Sequence, residues 1–353
     1  MTPGKERARN LCRLLGLKAP ILLAPMAGAC PPPLSIAVAR AGGLGACGAL
    51  LMDPAAIGAW VAEFRSGTDG PFQLNLWVPE PAARRDAAHE RAIRDFLAAW
   101  GPPVPEHAGD NVPPDFAAQC EALLAARPTA VSSIMGLFPP EFVARLKAAG
   151  IRWLANATTV GEARACEAAG ADVVVTQGME AGGHRGCFEA ALAEAQQVGL
   201  FALLPAIVDA VRVPVVASGG IADERGVAAA FALGASAVQV GTGFLRAPEA
   251  QLPPAWADAL ARTDPEGTML TRAFSGRAGR AIATGYAKAA AAGTAPAPAP
   301  YPVQRGLTAA MRAQALSHGD LERMQAWAGQ SARLAPAEPA ASIFARLARA
   351  APR

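Results

Sequence analysis

The chain has 353 residues, of which 52% are hydrophobic and only 17% are charged. Such a low charged fraction leaves ample apolar material for a large core, since soluble domains are usually about 25% charged. Lys and Arg number 32 against 29 Asp and Glu, and this near balance without a basic stripe argues against a nucleic-acid-binding protein. The six cysteines follow no CxxC or CxxH spacing, which argues against both a disulfide framework and a metal site.

Two uncharged stretches, 19–39 and 226–245, have the length of a membrane span. The first contains five prolines, and the second is interrupted by Gly234, Ser236 and Gln239. A spanning helix needs about 20 predominantly apolar residues, so neither stretch qualifies. The N-terminal region has no continuous apolar segment with a cleavage site, and we therefore expect no signal peptide and a cytoplasmic protein.

From residue 21 to residue 245, short apolar runs of strand length alternate with longer segments of helical length. Strands are predicted at 21–27, 44–47, 72–77, 130–135, 153–157, 172–176, 213–218 and 237–241. Helices are predicted at 33–41, 54–65, 84–100, 115–126, 142–149, 160–169, 201–211 and 223–233, with Asp53 and Asp223 as N-caps. Parallel strands that are buried on both faces have such continuous apolar runs, so the pattern predicts an α/β fold, a (β/α)8 TIM barrel. An open doubly wound sheet is the alternative, although it normally uses fewer strands.

Beyond residue 245 the alternation stops, and we predict three segments. Residues 1–245 form the barrel, residues 246–310 form a smaller inserted subdomain or lid on the substrate side, and residues 311–353 form C-terminal helices that pack back on the barrel. A helix is predicted at 254–262, and the Ala/Pro tract 294–300 is typical of an extended spacer. Leu316, Leu321, Met324 and Trp327 have helical spacing, which predicts a terminal helix over 311–333.

The loops after the strands form the active site of such a barrel, and glycines are concentrated in them. Gly219-Gly220 and Gly241-Thr242 follow the last two strands. Because glycines leave backbone N–H groups unobstructed, we predict a phosphate site here that needs no lysine. The alternative is that these glycines only form tight turns.

The loop after the sixth strand contains four glycines within residues 178–186 and also carries His184. Glycines allow close approach of the backbone to a flat ligand, and a histidine pKa near 6.5 suits proton abstraction, so His184 is the predicted catalytic base. Asn75 and Gln177 end two strands, where their amides are predicted either to contact a polar heterocycle or to fix a loop. Glu180 and Arg185 are expected to pair at the rim.

In this order, the motifs resemble those of the nitronate monooxygenase family, whose members are FMN-dependent (β/α)8 barrels. The similar blocks are APMAG at 24–28, QGMEAGGHRG at 177–186, ASGGIAD at 217–223 and VQVGT at 238–242. FSGR at 274–277 and WAGQ at 327–330 also resemble family segments. The resemblance covers nearly the whole chain and is most specific in the histidine-containing block.

The resemblance implies FMN as the cofactor, a small-molecule substrate with O2, and a monomer or homodimer. His184 would be the catalytic base, Tyr301 would line the substrate pocket, and Arg277 is a candidate for binding an anionic substrate group. The residues that would contact FMN are Met26, Asn75, Gln177, Gly182, Gly219, Gly220, Gln239, Val240, Gly241 and Thr242. The implied reaction is the oxidation of alkyl nitronates, or of nitroalkanes, to carbonyl compounds and nitrite, with electron transfer to the flavin.

Two other functions stay open at this point. A very similar histidine loop occurs in FMN-dependent NAD(P)H reductases of enoyl thioesters or quinones. From another class, the chain fits a non-redox phosphate-binding barrel or a flavin carrier. A Schiff-base lyase is disfavoured because none of the four lysines, at positions 5, 18, 147 and 288, ends a predicted strand.

Overall fold

Eight parallel strands form one curled sheet in this computed structural model, which describes residues 3–352. In chain order, β1 to β8 are Ile21–Leu23, Gly45–Gly48, Phe72–Trp77, Ala130–Ile134, Arg152–Ala157, Val173–Gln177, Val215–Ser218 and Ala237–Val240. β1 pairs with β8, and the two ends of the sheet meet at a parallel bridge between Leu22 and Leu44. The predicted (β/α)8 TIM barrel is confirmed, and each predicted strand overlaps an observed one.

Helices cover the outside of the barrel and follow the strands as predicted. They are Pro32–Arg40, Pro54–Gly67, Phe116–Ala126, Pro140–Ala148, Val160–Ala168, Leu200–Ala210 and Glu224–Ala232. The Asp53 carboxylate accepts the Ala56 N–H at 2.8 Å, and the Asp223 carboxylate accepts the Gly226 N–H at 3.1 Å, which confirms both N-caps. Within residues 3–352, every helix is too short or too polar to cross a membrane.

The inside of the barrel changes from apolar at the amino ends of the strands to polar at their carboxyl ends. At the amino ends, strand residues pack with Leu11 and Leu15 of helix Pro3–Leu15, which closes this end. The apolar residues of this layer that lie on or directly before the strands are Leu22, Leu44, Ala130, Leu154, Val173, Val175, Val216 and Ala237. At the carboxyl ends, strand pairing brings Asn75 beside Ser132, and Ser218 beside both Gln177 and Gln239. The polar layer is therefore supported by a dry apolar one.

A second layer covers the carboxyl ends of the barrel strands. Strands Thr268–Thr271 and Gly279–Ile282 are antiparallel, and the latter also pairs with Gly183–His184. The further helices of the chain are Ala87–Leu97, Pro254–Leu260, Gly285–Ala290, Val303–Leu307, Ala309–His318 and Ala340–Arg349. Short 3-10 helices span Glu106–Gly109, Ala190–Leu192, Thr242–Phe244, Pro248–Ala250, Pro265–Gly267, Leu321–Arg323 and Ala332–Leu334. Neither strand of the second layer was predicted.

The insert after β3 shares a core with the segment after β8. Ile93 and Leu97 of the insert pack with Phe274, Tyr286 and Leu307 in one buried cluster. The last helix, Ala340–Arg349, instead packs on the outer barrel helices Pro32–Arg40 and Glu224–Ala232. The limits 1–245, 246–310 and 311–353 stay a prediction.

Two local predictions for the C-terminal third are wrong. The helix predicted over 311–333 ends at His318, because Gly319 has a φ of 63° and stops it. The chain then forms the 3-10 helix Leu321–Arg323 and reaches Trp327, which forms an antiparallel bridge with Ala281. The tract 294–300 is also more than a spacer, since Ala299 is buried in the core and donates its N–H to Gln304 at 2.9 Å.

Candidate active site

His184 is held between two tryptophans above the carboxyl ends of the strands. Its ring centroid lies 4.6 Å from that of Trp77 and 4.7 Å from that of Trp327. Its Nε2 lies 2.7 Å from Ser275 Oγ. Trp77 ends β3, whereas His184 belongs to the loop after β6, so the contact between them crosses the mouth of the barrel. The two ring contacts and the hydrogen bond together fix the orientation of the imidazole.

The environment of His184 keeps its imidazole neutral. Burial, together with the positive charges of Arg277 and Arg305, lowers the pKa of His184 from its usual 6.5 to about 3. A neutral imidazole has one N–H donor and one free lone pair. It can therefore remove a proton or donate a hydrogen bond, but it brings no positive charge to an anionic substrate.

Two buried arginines hold the backbone of the histidine loop, residues 178–186. Arg185 donates to Gly178 O at 2.8 Å and to Gln177 O at 3.2 Å. Arg280 donates to Met179 O at 2.9 Å. Both arginines are at most 5% exposed, so carbonyl oxygens replace water around their guanidinium groups. These bonds give the loop a defined path from the end of β6.

The expected rim pair between Glu180 and Arg185 is wrong. Arg185 is only 2% exposed and points into the protein, where it binds carbonyl groups. Glu180 accepts the backbone N–H of Leu200 at 2.8 Å instead, at the start of helix Leu200–Ala210. Both residues therefore support the loop through backbone groups and not through each other.

The two strand-end amides make hydrogen bonds within the protein. Gln177 Nε2 donates to His184 O at 3.0 Å, and Gln177 Oε1 accepts the Gly186 N–H at 2.8 Å. Asn75 Nδ2 donates to Ser132 O at 3.1 Å and to Ser132 Oγ at 3.0 Å. The bonds of Gln177 match the alternative in which it fixes a loop. A cofactor contact stays a prediction for both amides.

The glycine loops after β7 and β8 present unpaired backbone donors. Gly219 and Gly220 have φ angles of 113° and 69°, a left-handed backbone that favours glycine. Within residues 3–352, no protein group accepts the backbone N–H of Gly219, Gly220, Gly241 or Thr242. The Asp223 carboxylate already caps the helix that follows β7, so an anion here would meet loop amides. Four such donors on neighbouring loops suit a phosphate.

The segment 327–330 joins the histidine loop to the loop after β8. Gln330 donates its N–H to Glu180 O at 2.9 Å, and Gly329 donates its N–H to Thr242 Oγ1 at 3.0 Å. The histidine loop and this segment are in close contact at Gly182, because a Cβ atom added to Gly182 would lie only 2.5 Å from Gly329 N. The WAGQ motif at 327–330 carries no local sequence signal for this position between the two loops.

The structure brings the predicted cofactor residues to one end of the barrel. Met26 follows β1 and lies against Gly241, where a Cβ atom would be 3.3 Å from Met26 Sδ. The others lie on or directly after β3, β6, β7 and β8, and they are Asn75, Gln177, Gly182, Gly219, Gly220, Gln239, Val240 and Thr242. This juxtaposition follows from parallel strands, whose carboxyl ends meet at one edge.

The predicted substrate residues Arg277 and Tyr301 line a cavity of about 620 Å3 together with Trp77. The guanidinium of Arg277 forms an ion pair with Glu80 at 2.8 Å and donates to Cys187 O at 2.8 Å. Arg277 is therefore already neutralised and is not a free anion site. The ring centroid of Tyr301 lies 5.3 Å from that of Trp77, on the side of the cavity.

Comparisons with known proteins extend over almost the whole chain. The family model described as nitronate monooxygenase matches residues 9–349. The chain is 40% identical to a nitronate monooxygenase of Paraburkholderia phytofirmans, covering 97% of this chain and 94% of that protein. It is 42% identical to one of Pseudomonas aeruginosa, covering 95% and 97%. Among solved structures, nitroalkane oxidase from Streptomyces ansochromogenes matches with a TM-score of 0.85 and 36% identity, covering 96% and 98%.

The barrel, the site and these matches define a flavin-dependent oxidoreductase of the TIM-barrel class. The chain belongs to the nitronate monooxygenase family.

Proposed function

We propose that this chain is an FMN-dependent nitronate monooxygenase that uses O2 to convert alkyl nitronates to carbonyl compounds and nitrite. The observation that carries the proposal is His184, which packs against Trp77 and Trp327 at the end of the barrel that also holds the unpaired loop N–H groups. Membership of the nitronate monooxygenase family supports the reaction class. We further propose that the enzyme is cytoplasmic and acts on a small-molecule substrate as a monomer or homodimer.

The residues present fit FMN by the chemistry of their donors. Gly219, Gly220, Gly241 and Thr242 would hold the phosphate through backbone N–H groups. Three polar side chains at the strand ends, those of Asn75, Gln177 and Gln239, would contact the edge of the flavin ring. Met26, Gly182 and Val240 would add further contacts to the cofactor. When bound, FMN supplies the acceptor of electrons from the substrate.

His184 performs the proton chemistry in this proposal. Ser275 occupies Nε2, which leaves Nδ1 as the ring nitrogen available to a substrate. A neutral nitroalkane would lose its α-proton to the free lone pair of His184, and a preformed nitronate would be oriented by the ring. Because Trp77 and Trp327 fix the imidazole in advance, little reorganisation is needed at the moment of reaction.

We expect kcat/KM for nitroethane to keep its neutral-pH value as the pH falls through 6.5. Protonation of His184 would abolish its role as a base, and because the pKa of His184 is about 3, this loss of activity is expected only at a pH far below 6.5. Between pH 6.5 and 3 the unfolded chain binds a proton on this histidine that the folded chain does not bind, so the free energy of unfolding falls as the pH falls. A pH profile of kcat/KM checks this, with tryptophan fluorescence as the control for folding. An acid limb centred near pH 6.5 would contradict it.

Anaerobic mixing of the purified protein tests the proposed function. We expect a yellow protein whose extracted flavin is FMN. Its visible absorption should change when ethyl nitronate is added, and its flavin absorbance should not bleach when NADH is added. Rapid bleaching by NADH would favour the reductase, and a yellow protein without turnover of either compound would be a flavin carrier. A colourless protein that takes up no added FMN would overturn all flavin functions together.

A further inference from the structure

Arg305 is a half-buried guanidinium without a counter-ion at the edge of the site. Within residues 3–352 it forms no ion pair, and its guanidinium donates no hydrogen bond. Burial lowers the pKa of Arg305, and the only group that opposes this shift is Tyr301. Because Arg305 is only half-buried, solvent still reaches its guanidinium, and an anionic ligand that enters the site can reach it too. A guanidinium without a protein partner is free to form charge-assisted hydrogen bonds with such a ligand.

The hydroxyl group next to Arg305 also lacks a partner. Tyr301 precedes Arg305 by four residues, and its buried OH makes no hydrogen bond within the described chain. The Tyr301 ring packs 5.3 Å from Trp77, which packs 4.6 Å from His184, between centroids. The turn that carries both residues is helical, since Pro300 O accepts the Gln304 N–H and Pro302 O accepts the Gly306 N–H, each at 3.2 Å. Side chains four residues apart on a helical turn are neighbours, so Arg305 lies beside Tyr301 and is linked through Tyr301 and Trp77 to His184 in one cluster.

The charges around the cluster leave it net positive. Arg277 is neutralised by Glu80 at 2.8 Å, and Glu80 is the only carboxylate that acts on Tyr301. Arg312 lies behind Arg305, where it donates to Arg305 O at 2.8 Å and to Thr308 Oγ1 at 3.1 Å. Arg312 therefore adds positive charge while its own donors are satisfied. Arg305 is left as the cation of this group that is free to bind an anion.

We propose that Arg305 and Tyr301 form an anion-binding subsite that holds a planar oxyanion of the substrate beside His184. The guanidinium matches two oxygens of such an anion in a fork, and the tyrosine hydroxyl adds one more donor. The oxyanion is either the nitronate group itself or a carboxylate on the substrate tail. The proposal rests on the proposed function and adds to it a residue that selects the anionic substrate over the neutral nitroalkane.

Binding of sodium nitrate tests the subsite without turnover, because nitrate is a planar oxyanion. We expect saturable quenching of tryptophan fluorescence at constant ionic strength, with affinity about 10- to 100-fold weaker in Arg305→Met, as for loss of a charge-assisted hydrogen bond. Arg305→Lys should be intermediate, since a lysine keeps the charge but not the fork. Arg91→Met is the matched control, since Arg91 is an exposed arginine of helix Ala87–Leu97 without an ion pair. Absence of saturable binding, or equal affinity in Arg305→Met, would overturn the subsite.

Steady-state kinetics then locate the oxyanion. If the subsite holds the nitronate group, Arg305→Met raises KM for ethyl nitronate and leaves KM for nitroethane almost unchanged. If it holds a tail, only a nitronate that carries a carboxylate loses affinity. A changed flavin reduction potential with unchanged nitrate affinity would place Arg305 on the flavin and overturn the proposal. Failure of the proposed function would appear differently, as nitrate binding without any nitronate turnover.

Discussion

Replacing His184 with asparagine is expected to lower kcat/KM for nitroethane by about 10²- to 10⁴-fold, the usual contribution of a general base. Asparagine keeps a polar group packed against Trp77 and Trp327, and Ser275, which it is too short to reach, keeps its bonds to the backbone of Arg277. The fold and FMN binding should therefore be preserved. Ethyl nitronate has already lost its proton, and its turnover should fall much less. The ratio of the two kcat/KM values is therefore the decisive measurement.

His318→Asn is the matched control for this variant, because His318 is exposed at the end of helix Ala309–His318 and should leave both activities unchanged. FMN affinity, measured by quenching of the free flavin's fluorescence, should be the same in all three proteins. Unchanged turnover of nitroethane by His184→Asn would remove the base from the mechanism.

Replacing Gly182 with alanine is expected to separate the histidine loop from segment 327–330. The new Cβ atom would lie 2.5 Å from Gly329 N and 2.7 Å from Ala328 C, and both are backbone atoms that cannot rotate away. The hydrogen bonds from Gln330 to Glu180 and from Gly329 to Thr242 would lengthen with the shift. Overpacking of this kind costs roughly 1–3 kcal/mol of stability, and we expect FMN affinity to fall at least tenfold with it.

Gly58→Ala is the control for the effect of replacing a glycine with alanine where there is no steric conflict. Gly58 lies exposed in helix Pro54–Gly67 with no atom within 4 Å of its added Cβ. Alanine should stabilise this helix by about 0.5–1 kcal/mol, since glycine is unfavourable there. Urea unfolding and FMN titration of both variants make the comparison. Wild-type FMN affinity in Gly182→Ala would show that the two segments need not be in contact.

The barrel was predictable because its strands are buried on both faces. Runs such as Ile21-Leu22-Leu23 and Val173-Val174-Val175 are continuous and apolar, and helices such as Pro54–Gly67 and Glu224–Ala232 carry their own caps. The strands Thr268–Thr271 and Gly279–Ile282 have no such local signal. They are four residues each, and Gly279–Ile282 pairs with Gly183–His184, far away in the chain. A prediction from local pattern cannot recover such a pairing.

The site could be predicted where clustered glycines mark a loop that can approach a ligand closely. It could not be predicted where side chains from distant strands meet across the mouth of the barrel. His184 was found from the glycines around it, whereas Trp77 and Trp327 are distant in sequence and come together only in the fold. Arg277 was proposed as a free cation because its partner Glu80 lies in the insert after β3. Arg305 was missed because a charge without a partner is visible only when all its neighbours are known.

The pairing of Gly183–His184 with Gly279–Ile282 has a consequence for the order in which the enzyme matures. During synthesis at about 5–20 residues per second, the last barrel strand leaves the ribosome several seconds before residue 330. All eight barrel strands have thus emerged while His184 still lacks the strand and the tryptophan that orient it. A nascent or truncated chain that ends before residue 330 would carry these strands without a positioned His184, so we expect activity only from chains that extend beyond this residue.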